Sequence, residues 1–322
     1  MTSPFKTIGD FLRQHDKFAV FAHIRPDGDA YGSTLALTLC LRAMGKDVLA
    51  CNADGMIERY RFLPGADTLV ATPVEAVEAD RKIIALDTAD QIRLGKVFHG
   101  WKRTPDVNID HHISNAGYAP LNCIIPDVPA TAEVLYELIR AENLPFNADI
   151  ASNLFVGLST DTGSFRHRQT TARSFEIAAD LVRAGADPTD LAQQCYSSFT
   201  LGRLLLLREA LNDTQFLDDG KISYFHLNND VYTRTGTSSE DTEGLIESIQ
   251  MVKTVEVAFM MEKTDEEFTR VSLRSRGKVD VQQIASHYGG GGHRLAAGIR
   301  SKLPLAELEA GVIADIRKAL AA

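Results

Sequence analysis

The apolar run Phe18-Ala19-Val20-Phe21-Ala22 passes directly into His23-Ile24-Arg25-Pro26-Asp27-Gly28-Asp29-Ala30. An apolar stretch of that length reads as a buried strand, and the leucine-rich stretch 34–41 reads as a helix. One imidazole and two carboxylates therefore fall in a strand-to-helix turn. In open α/β sheets, ligands bind at that end of a strand. Crowded carboxylates repel each other and lose hydration, so a cation commonly accompanies them. This one segment points to an α/β sheet carrying a metal site on its edge.

The rest of the first half repeats the alternation. Strand signals at 18–22, 47–51, 82–86, 106–109 and 121–124 are interleaved with helix signals at 7–14, 31–44, 131–142, 148–159 and 171–183. This order implies a doubly wound, mostly parallel sheet with helices on both faces. From Asp187 the pattern changes. Pro188 starts a short helix, and 201–211 reads as a connecting helix. Strands at 214–217 and 221–227 flank Asp218-Asp219-Gly220, a hairpin signal. A helix at 239–251, strands at 255–262 and 268–274, a helix at 281–287, a glycine run and a helix at 304–321 complete a smaller α+β domain. The expected organisation is a domain at 1–187, a linker helix region at 188–211 and a second domain at 212–322, with a cleft between the two domains. There is no internal repeat.

A chain of 322 residues can build two cores. No apolar run reaches the roughly 18–20 residues that span a bilayer, and the N-terminus lacks the pattern of a signal peptide. A cytoplasmic protein with no membrane partner is expected. Cys40, Cys51, Cys123 and Cys195 form no CxxC pair and read as reduced thiols. The net charge of −9 argues against a grip on duplex DNA. It leaves room for a small phosphorylated substrate, since bound cations add local positive charge.

Other strand ends repeat the logic of the first. The 82–86 strand ends at Asp87, and the 106–109 strand ends at Asp110-His111-His112. If these strands are parallel neighbours, their carboxyl ends converge. Asp161, in Ser159-Thr160-Asp161-Thr162-Gly163-Ser164, follows a further apolar run. Taken singly, Asp87 reads as a turn former and Asp161 as a cap. Taken together, oxygen and imidazole donors without thiolate suit Mn²⁺, Mg²⁺ or similar ions. The set exceeds the need of one ion and fits a two-metal hydrolytic site. Downstream, Gly289 to Gly292 can point several N–H groups at one anion. His293 and the pair Arg274 and Arg276 lie nearby in sequence, and guanidinium groups match phosphate oxygens. Arg166-His167-Arg168 reads either as a phosphate contact or as an exposed segment. His15, His99, His226 and His287 have no motif company and read as structural.

With these motifs in this order, the chain resembles the DHH/DHHA1 phosphoesterases over nearly its full length. Within them it is most similar to the nanoRNase (oligoribonuclease)/pAp phosphatase branch. The resemblance rests on His23 to Asp29, Ala85-Leu86-Asp87-Thr88-Ala89, Asp110-His111-His112, Thr160 to Phe165, and Gly289 to His293. It implies that His23 and Asp27 hold one ion, that Asp29, His111 and Asp161 hold a second, and that Asp87 bridges them. It implies catalytic roles for Asp87, for His112 beside the substrate phosphate, and for Asp110 in orienting an imidazole. It implies that the second domain binds substrate through Arg274, Arg276, Gly290, Gly291, Gly292 and His293. The implied cofactor is Mn²⁺ as two divalent ions, with Mg²⁺ or Co²⁺ as alternatives. The implied substrates are short RNA of 2 to about 5 nucleotides, cleaved to mononucleotides, and 3′-phosphoadenosine 5′-phosphate (pAp), dephosphorylated to AMP in a 3′(2′),5′-bisphosphate nucleotidase reaction. A phosphodiesterase of cyclic or linear dinucleotides is one alternative, although such enzymes usually carry N-terminal membrane and sensory segments. An inorganic pyrophosphatase-like hydrolase is another, although it lacks the glycine-histidine motif. A non-enzymatic nucleotide-binding protein would be expected to have lost a ligand, and none is missing.

Overall fold

Asp27 accepts hydrogen bonds from the N–H groups of Asp29 (3.1 Å) and Ala30 (3.0 Å), and so starts the first long helix. The structure is a computed structural model and describes residues 4–71, 77–95, 103–263 and 267–321. The described chain forms two compact units, Met1–Ser198 and Phe199–Ala322. The expected linker region is divided between them. Pro188–Tyr196 is a helix of the first unit and Leu201–Asp213 a helix of the second.

The first unit contains strands β1 (Lys17–Phe21), β2 (Asp47–Cys51), β3 (Leu69–Val70), β4 (Lys82–Leu86), β5 (Val107–Asp110) and β6 (Leu121–Ile124). Its helices are α1 (Pro4–Gln14), α2 (Gly28–Ala43), α3 (Thr131–Ala141), α4 (Ala148–Asp161), α5 (Ala172–Arg183) and α6 (Pro188–Tyr196). The sheet order is β3-β2-β1-β4-β5-β6 and every pairing is parallel. Such an order reverses direction between β1 and β4, and a crevice for ligands opens at the strand carboxyl ends there. His23 follows β1 and Asp87 follows β4, so both lie at this switch point.

Two boundaries depart from expectation, for local reasons. The second helix is expected from Tyr31, which would leave Asp29 in the turn. The Asp27 cap draws the start back to Gly28, placing Asp29 in the first helical turn. The fourth helix was expected to stop at Ser159. It reaches Asp161 because the hydroxyls of Thr160 and Thr162 bond back to Val156 and Leu158 carbonyls at 2.9 and 2.7 Å. The two-residue β3 carries too little periodicity to be seen in sequence.

In the second unit, α7 (Leu201–Asp213) leads into β7 (Gln215–Leu217) and β8 (Ile222–Asn228). Then follow α8 (Asn229–Thr235), α9 (Leu245–Gln250), β9 (Val257–Lys263), β10 (Thr269–Ser275), α10 (Val281–His287), β11 (Gly291–Gly292), β12 (Ala296–Ser301) and α11 (Leu305–Ala321). The strand order is β11-β12-β10-β9-β8-β7, antiparallel except for β8 on β9. The hairpin at Asp218-Asp219-Gly220 forms as expected, with φ of 53°, 57° and 77°. The helix expected over 239–251 is broken at Gly244 (φ 81°), and only Leu245–Gln250 is α-helical. One face of the sheet buries Val257, Phe259 and Leu273 with α10 and α11 residues such as Ile284 and Val312. The other buries Phe225 and Met260 with α7 and α9 residues such as Leu206 and Ile246.

Close packing of α2 on α4 holds the site half of the first unit. A Cβ on Gly32 would meet the Asn153 carbonyl oxygen at 2.4 Å, and one on Gly28 would meet Thr160 Oγ1 at 2.4 Å. Gly32→Ala is expected to cost about 1–3 kcal/mol by overpacking. Urea denaturation measures it, and an unchanged midpoint would show that the helices part freely.

Candidate metal centre

The backbone around each site residue is fixed before any side chain is considered. Asn52, just after β2, donates from Nδ2 to the His23 carbonyl at 3.0 Å. Arg25 takes a left-handed backbone (φ 55°), and its N–H donates to the Asp54 carboxylate. Asp87 is also left-handed (φ 51°), with its N–H bonded to the Ile109 carbonyl at 3.0 Å. Non-glycine residues adopt this region at a cost of roughly 1–2 kcal/mol, and Asp tolerates it better than most. Strain of this kind clusters at functional sites.

These turns gather side chains from four segments of the chain. His23 Nε2 lies 3.3 Å from Asp87 Oδ2 and 3.9 Å from Asp27 Oδ2. His111 Nε2 lies 3.4 Å from Asp87 Oδ1 and 3.2 Å from Asp161 Oδ2. His112 Nδ1 lies 2.7 Å from Asp110 Oδ1 and 3.6 Å from Asp87 Oδ1. Ligand-bearing atoms cluster as His23, Asp27 and Asp87, as Asp29, Asp87 and His111, and as Asp87, Asp110 and His112. Asp87 belongs to each of these three groups. The eight N-terminal residues singled out in the sequence are thus brought together around one carboxylate.

The imidazole tautomers show why a cation fits. His23 Nδ1 is 2.8 Å from the Ile24 carbonyl oxygen, and His111 Nδ1 is 3.1 Å from that of Val128. A carbonyl only accepts, so each Nδ1 carries the proton. In the neutral ring, Nε2 then turns a lone pair toward carboxylate oxygens that also carry lone pairs. That contact is repulsive until a proton or a metal ion sits between them. Carbonyl-anchored imidazoles are also the usual support of metal-ligating histidines. The donor set therefore fits divalent ions.

Asp29 is buried at 0% exposure, yet is well supplied with donors. Its Oδ2 accepts from Thr131 N–H at 2.6 Å, and its Oδ1 from Ala132 N–H at 2.9 Å and Ser33 Oγ at 3.0 Å. Thr131 Oγ1 donates to Asp87 Oδ1 at 3.0 Å. In sequence, Thr131 was visible only as a helix start, and Ser33 only as a helix residue. No motif spacing marks either one.

Burial, with the neighbouring charges second to it, sets the titration of the cluster. Burial, and then the Asp87 charge, push Asp29 up to about 8. Burial also lifts Asp161 well above the usual carboxylate range, against the attraction of His111. Burial opposes ionisation of Asp87, but hydrogen bonds from His111 and His23 outweigh it and hold that carboxyl well below the usual range. His111 is raised well above an ordinary imidazole, because Asp87, Asp161 and Asp29 overcome its burial. Asp110 is lowered, the His112 hydrogen bond outweighing burial. Asn115 completes that arm by donating to Asp110 Oδ2 at 2.6 Å. The arrangement holds protons where a cation would otherwise sit.

After Asp161, Arg166 Nε donates to the Gly163 carbonyl at 2.6 Å, and His167 Nδ1 is 3.1 Å from the Asp161 carbonyl. Both brace the turn. His226 is held by Asp213 and Glu309 at 3.1 and 2.9 Å, and His287 by Asp315 at 2.9 Å. His99 lies outside the described residues.

The substrate-binding candidates lie in the second unit. Arg274 pairs with Ala296 across β10 and β12, and its Nε donates to Glu247 at 2.7 Å. His293 and Ala296 exchange backbone hydrogen bonds of 2.7 and 3.2 Å at the β11–β12 turn. Arg276 is turned toward the carbonyls of Gln250, the last residue of α9, and Val252 just after it, which leaves fewer donors for an anion. The expectation that the glycine run aims several N–H groups at an anion needs correction. The N–H groups of Gly289 and Gly290 close the end of α10 on Ser286 and Ala285 carbonyls at 3.1 and 2.8 Å.

Binding of an ion should expel the protons that the cluster holds. Asp29, Asp161 and His111 all titrate above their ordinary values, so each holds its proton to a higher pH than a free side chain would, and a cation displaces those protons. Titrating Mn²⁺ into metal-free protein in two buffers of different ionisation enthalpy should show net proton release. Uptake without release would contradict the geometry.

Comparison with known proteins agrees with the geometry. The model of the DHH family N-terminal domain matches residues 17–158, and that of the DHHA1 domain matches residues 223–322. The chain is 34% identical over 307 residues to a Thermus thermophilus protein named bifunctional oligoribonuclease and PAP phosphatase NrnA, covering 94% of this chain and 89% of that one. It is 27% identical to the Bacillus subtilis protein of the same name, covering 88% and 89%. An exopolyphosphatase-related protein from Bacteroides fragilis superposes with a TM-score of 0.84 at 22% identity, over 98% of this chain and 95% of that one. With its carboxylate–imidazole cluster at the β1/β4 switch point and both domains matched in order, the chain belongs to the DHH/DHHA1 family and is a phosphoesterase.

Proposed function

We propose that this phosphoesterase uses two divalent ions to cleave very short oligoribonucleotides to mononucleotides and to dephosphorylate pAp to AMP. The observation that carries the reading is the pair of carbonyl-anchored imidazoles, His23 and His111, both facing Asp87 at 3.3–3.4 Å. The substrates follow from the names of the Thermus thermophilus and Bacillus subtilis relatives.

His23 and Asp27 would hold one ion, Asp29, His111 and Asp161 the other, and Asp87 would touch both. Mn²⁺ is the proposed ion, with Mg²⁺ or Co²⁺ as alternatives, because the donors are oxygen and imidazole. Bound ions supply Lewis acidity and an activated water for displacement at phosphorus. The chain's own residues do the rest. Asp110 fixes His112 through Nδ1, which leaves Nε2 as the nitrogen free of that bond. From that position His112 would contact a phosphate oxygen, with Asp110 holding the ring in place. Arg274, the backbone of Gly291 and Gly292, and His293 are the proposed anion contacts of the second unit. Gly290 and Arg276 remain in the set with structural duties as well. The proposed division is a catalytic domain at 1–187, a linker at 188–211 and a substrate domain at 212–322.

Among the described residues, no helix is long and apolar enough to cross a membrane. The buried free thiols Cys40, Cys51, Cys123 and Cys195 accord with a cytoplasmic location. The net charge of −9 disfavours duplex DNA as a partner.

Asp87→Ala removes the carboxylate common to the clusters. Turnover of pAp and of a dinucleotide should fall by about a thousandfold or more, with the circular dichroism spectrum unchanged. Near-normal turnover would count against two ions sharing Asp87. A panel of pAp, a dinucleotide, cyclic di-AMP and pyrophosphate in Mn²⁺, compared by kcat/KM, tests the substrates. The first two should lead; pyrophosphate turning over fastest would reject the reading.

A further inference from the structure

One residue outside every recognised motif touches two of the proposed ligands at once. Thr131 opens α3 at 0% exposure. Its N–H donates to Asp29 Oδ2 at 2.6 Å, and its hydroxyl donates to Asp87 Oδ1 at 3.0 Å. Asp29 belongs to α2 and Asp87 follows β4, so a single residue of a third element ties two others together.

The N-terminus of α3 is itself unusual. Ala130, at its cap position, offers no side-chain cap. Helices lacking a cap leave N–H groups without partners. Here Asp29 supplies the cap from another helix, taking the N–H groups of Thr131 and Ala132. The positive end of the helix dipole favours an anion at this place. With Ser33 added, Asp29 accepts three hydrogen bonds. A carboxylate offers about four acceptor directions, so roughly one remains for a cation. The packing leaves Asp29 no retreat. A Cβ on Gly157 would lie 2.8 Å from Asp29 Oδ1 and 2.8 Å from the Ala132 side chain. Only glycine at 157 lets α4 approach both.

We propose that Thr131 is a positioning residue for the metal centre: through its amide and hydroxyl it holds Asp29 and Asp87 in register before any ion arrives. The proposal rests on the two-ion reading above, and it goes further in assigning the pre-formed geometry to the start of α3. Partners of metal ligands act in this way, by orienting the donor and removing the cost of ordering it when the ion binds.

The hydroxyl can be removed with little change of shape. Thr131→Val keeps the volume and the amide, Thr131→Ala loses hydroxyl and methyl, and Thr131→Ser keeps the hydroxyl alone. Mn²⁺ binding to each metal-free protein is measured by calorimetry, and folding is checked by thermal melting in EDTA. The Val and Ala variants should melt close to wild type and bind at least one of the two ions about ten- to a hundredfold more weakly, with Ser within about threefold of wild type. Unchanged affinity in Val and Ala, with wild type taking two ions, overturns this proposal alone. A Ser variant as weak as Val overturns it too, because the methyl and not the hydroxyl would then matter. Wild type taking up no Mn²⁺ overturns the two-ion reading and this proposal with it.

Discussion

Mutual repulsion of buried carboxylates is the constraint around which the N-terminal unit is built. Asp29 and Asp87 lie in one buried cluster with His111, and Asp161 reaches the same imidazole at 3.2 Å. An isolated buried carboxylate would simply take up a proton. Asp29 and Asp161 are driven that way, while Asp87 resists it because imidazoles flank both of its oxygens. Asp87 is therefore the carboxyl that the cluster favours most strongly as an anion, and the others adjust around it. Divalent ions would let every carboxylate ionise together, which explains how so costly a grouping can persist in a folded chain.

Much of the compensation comes from backbone. Carbonyls of Ile24 and Val128 fix the two imidazoles, and amides at the start of α3 receive Asp29. Backbone groups cannot drift as side chains can, because sheet and helix already hold them. Glycines at 28, 32 and 157 then let α2 and α4 come close enough for Asp29 to reach α3. The geometry of the cluster is in this sense a by-product of helix packing, and small changes in that packing should be felt among its carboxylates and imidazoles.

The sequence made legible whatever repeats at short range. Strand signals end where His23, Asp87 and Asp110 begin, and parallel pairing of β1, β4 and β5 brings those ends together as expected. The family motifs carried Asp161 into the same group. What could not be read is contact across long separations without a pattern. Thr131 is 102 residues from Asp29 and 44 from Asp87, and a Thr at a helix start gives no hint of either. Two helix ends moved by two or three residues where side chains bonded to nearby backbone, as Asp27 and Thr162 do. The break at Gly244 and the short strand at Gly291–Gly292 were hidden because glycine carries no periodicity of its own.

The four glycines before His293 separate into different kinds. Gly289 takes a left-handed turn (φ 74°) to close α10. Gly290 and Gly292 give way to neighbouring backbone: a Cβ at 290 would sit 2.1 Å from the Gly298 carbonyl, and one at 292 would sit 2.5 Å from that of Ala296. Those three are explained by the fold of their own unit. Gly291 is not. A Cβ there would meet nothing within 4 Å, and its φ is not among the positive ones. A Cβ could stand at Gly291 as far as this unit is concerned, and in a strand alanine would be the better choice. A bare backbone at an exposed position with no internal need for it suits close approach by something from outside the unit. Within the run, Gly291 is therefore the position at which the anion contact proposed above competes with no structural duty of the glycine itself.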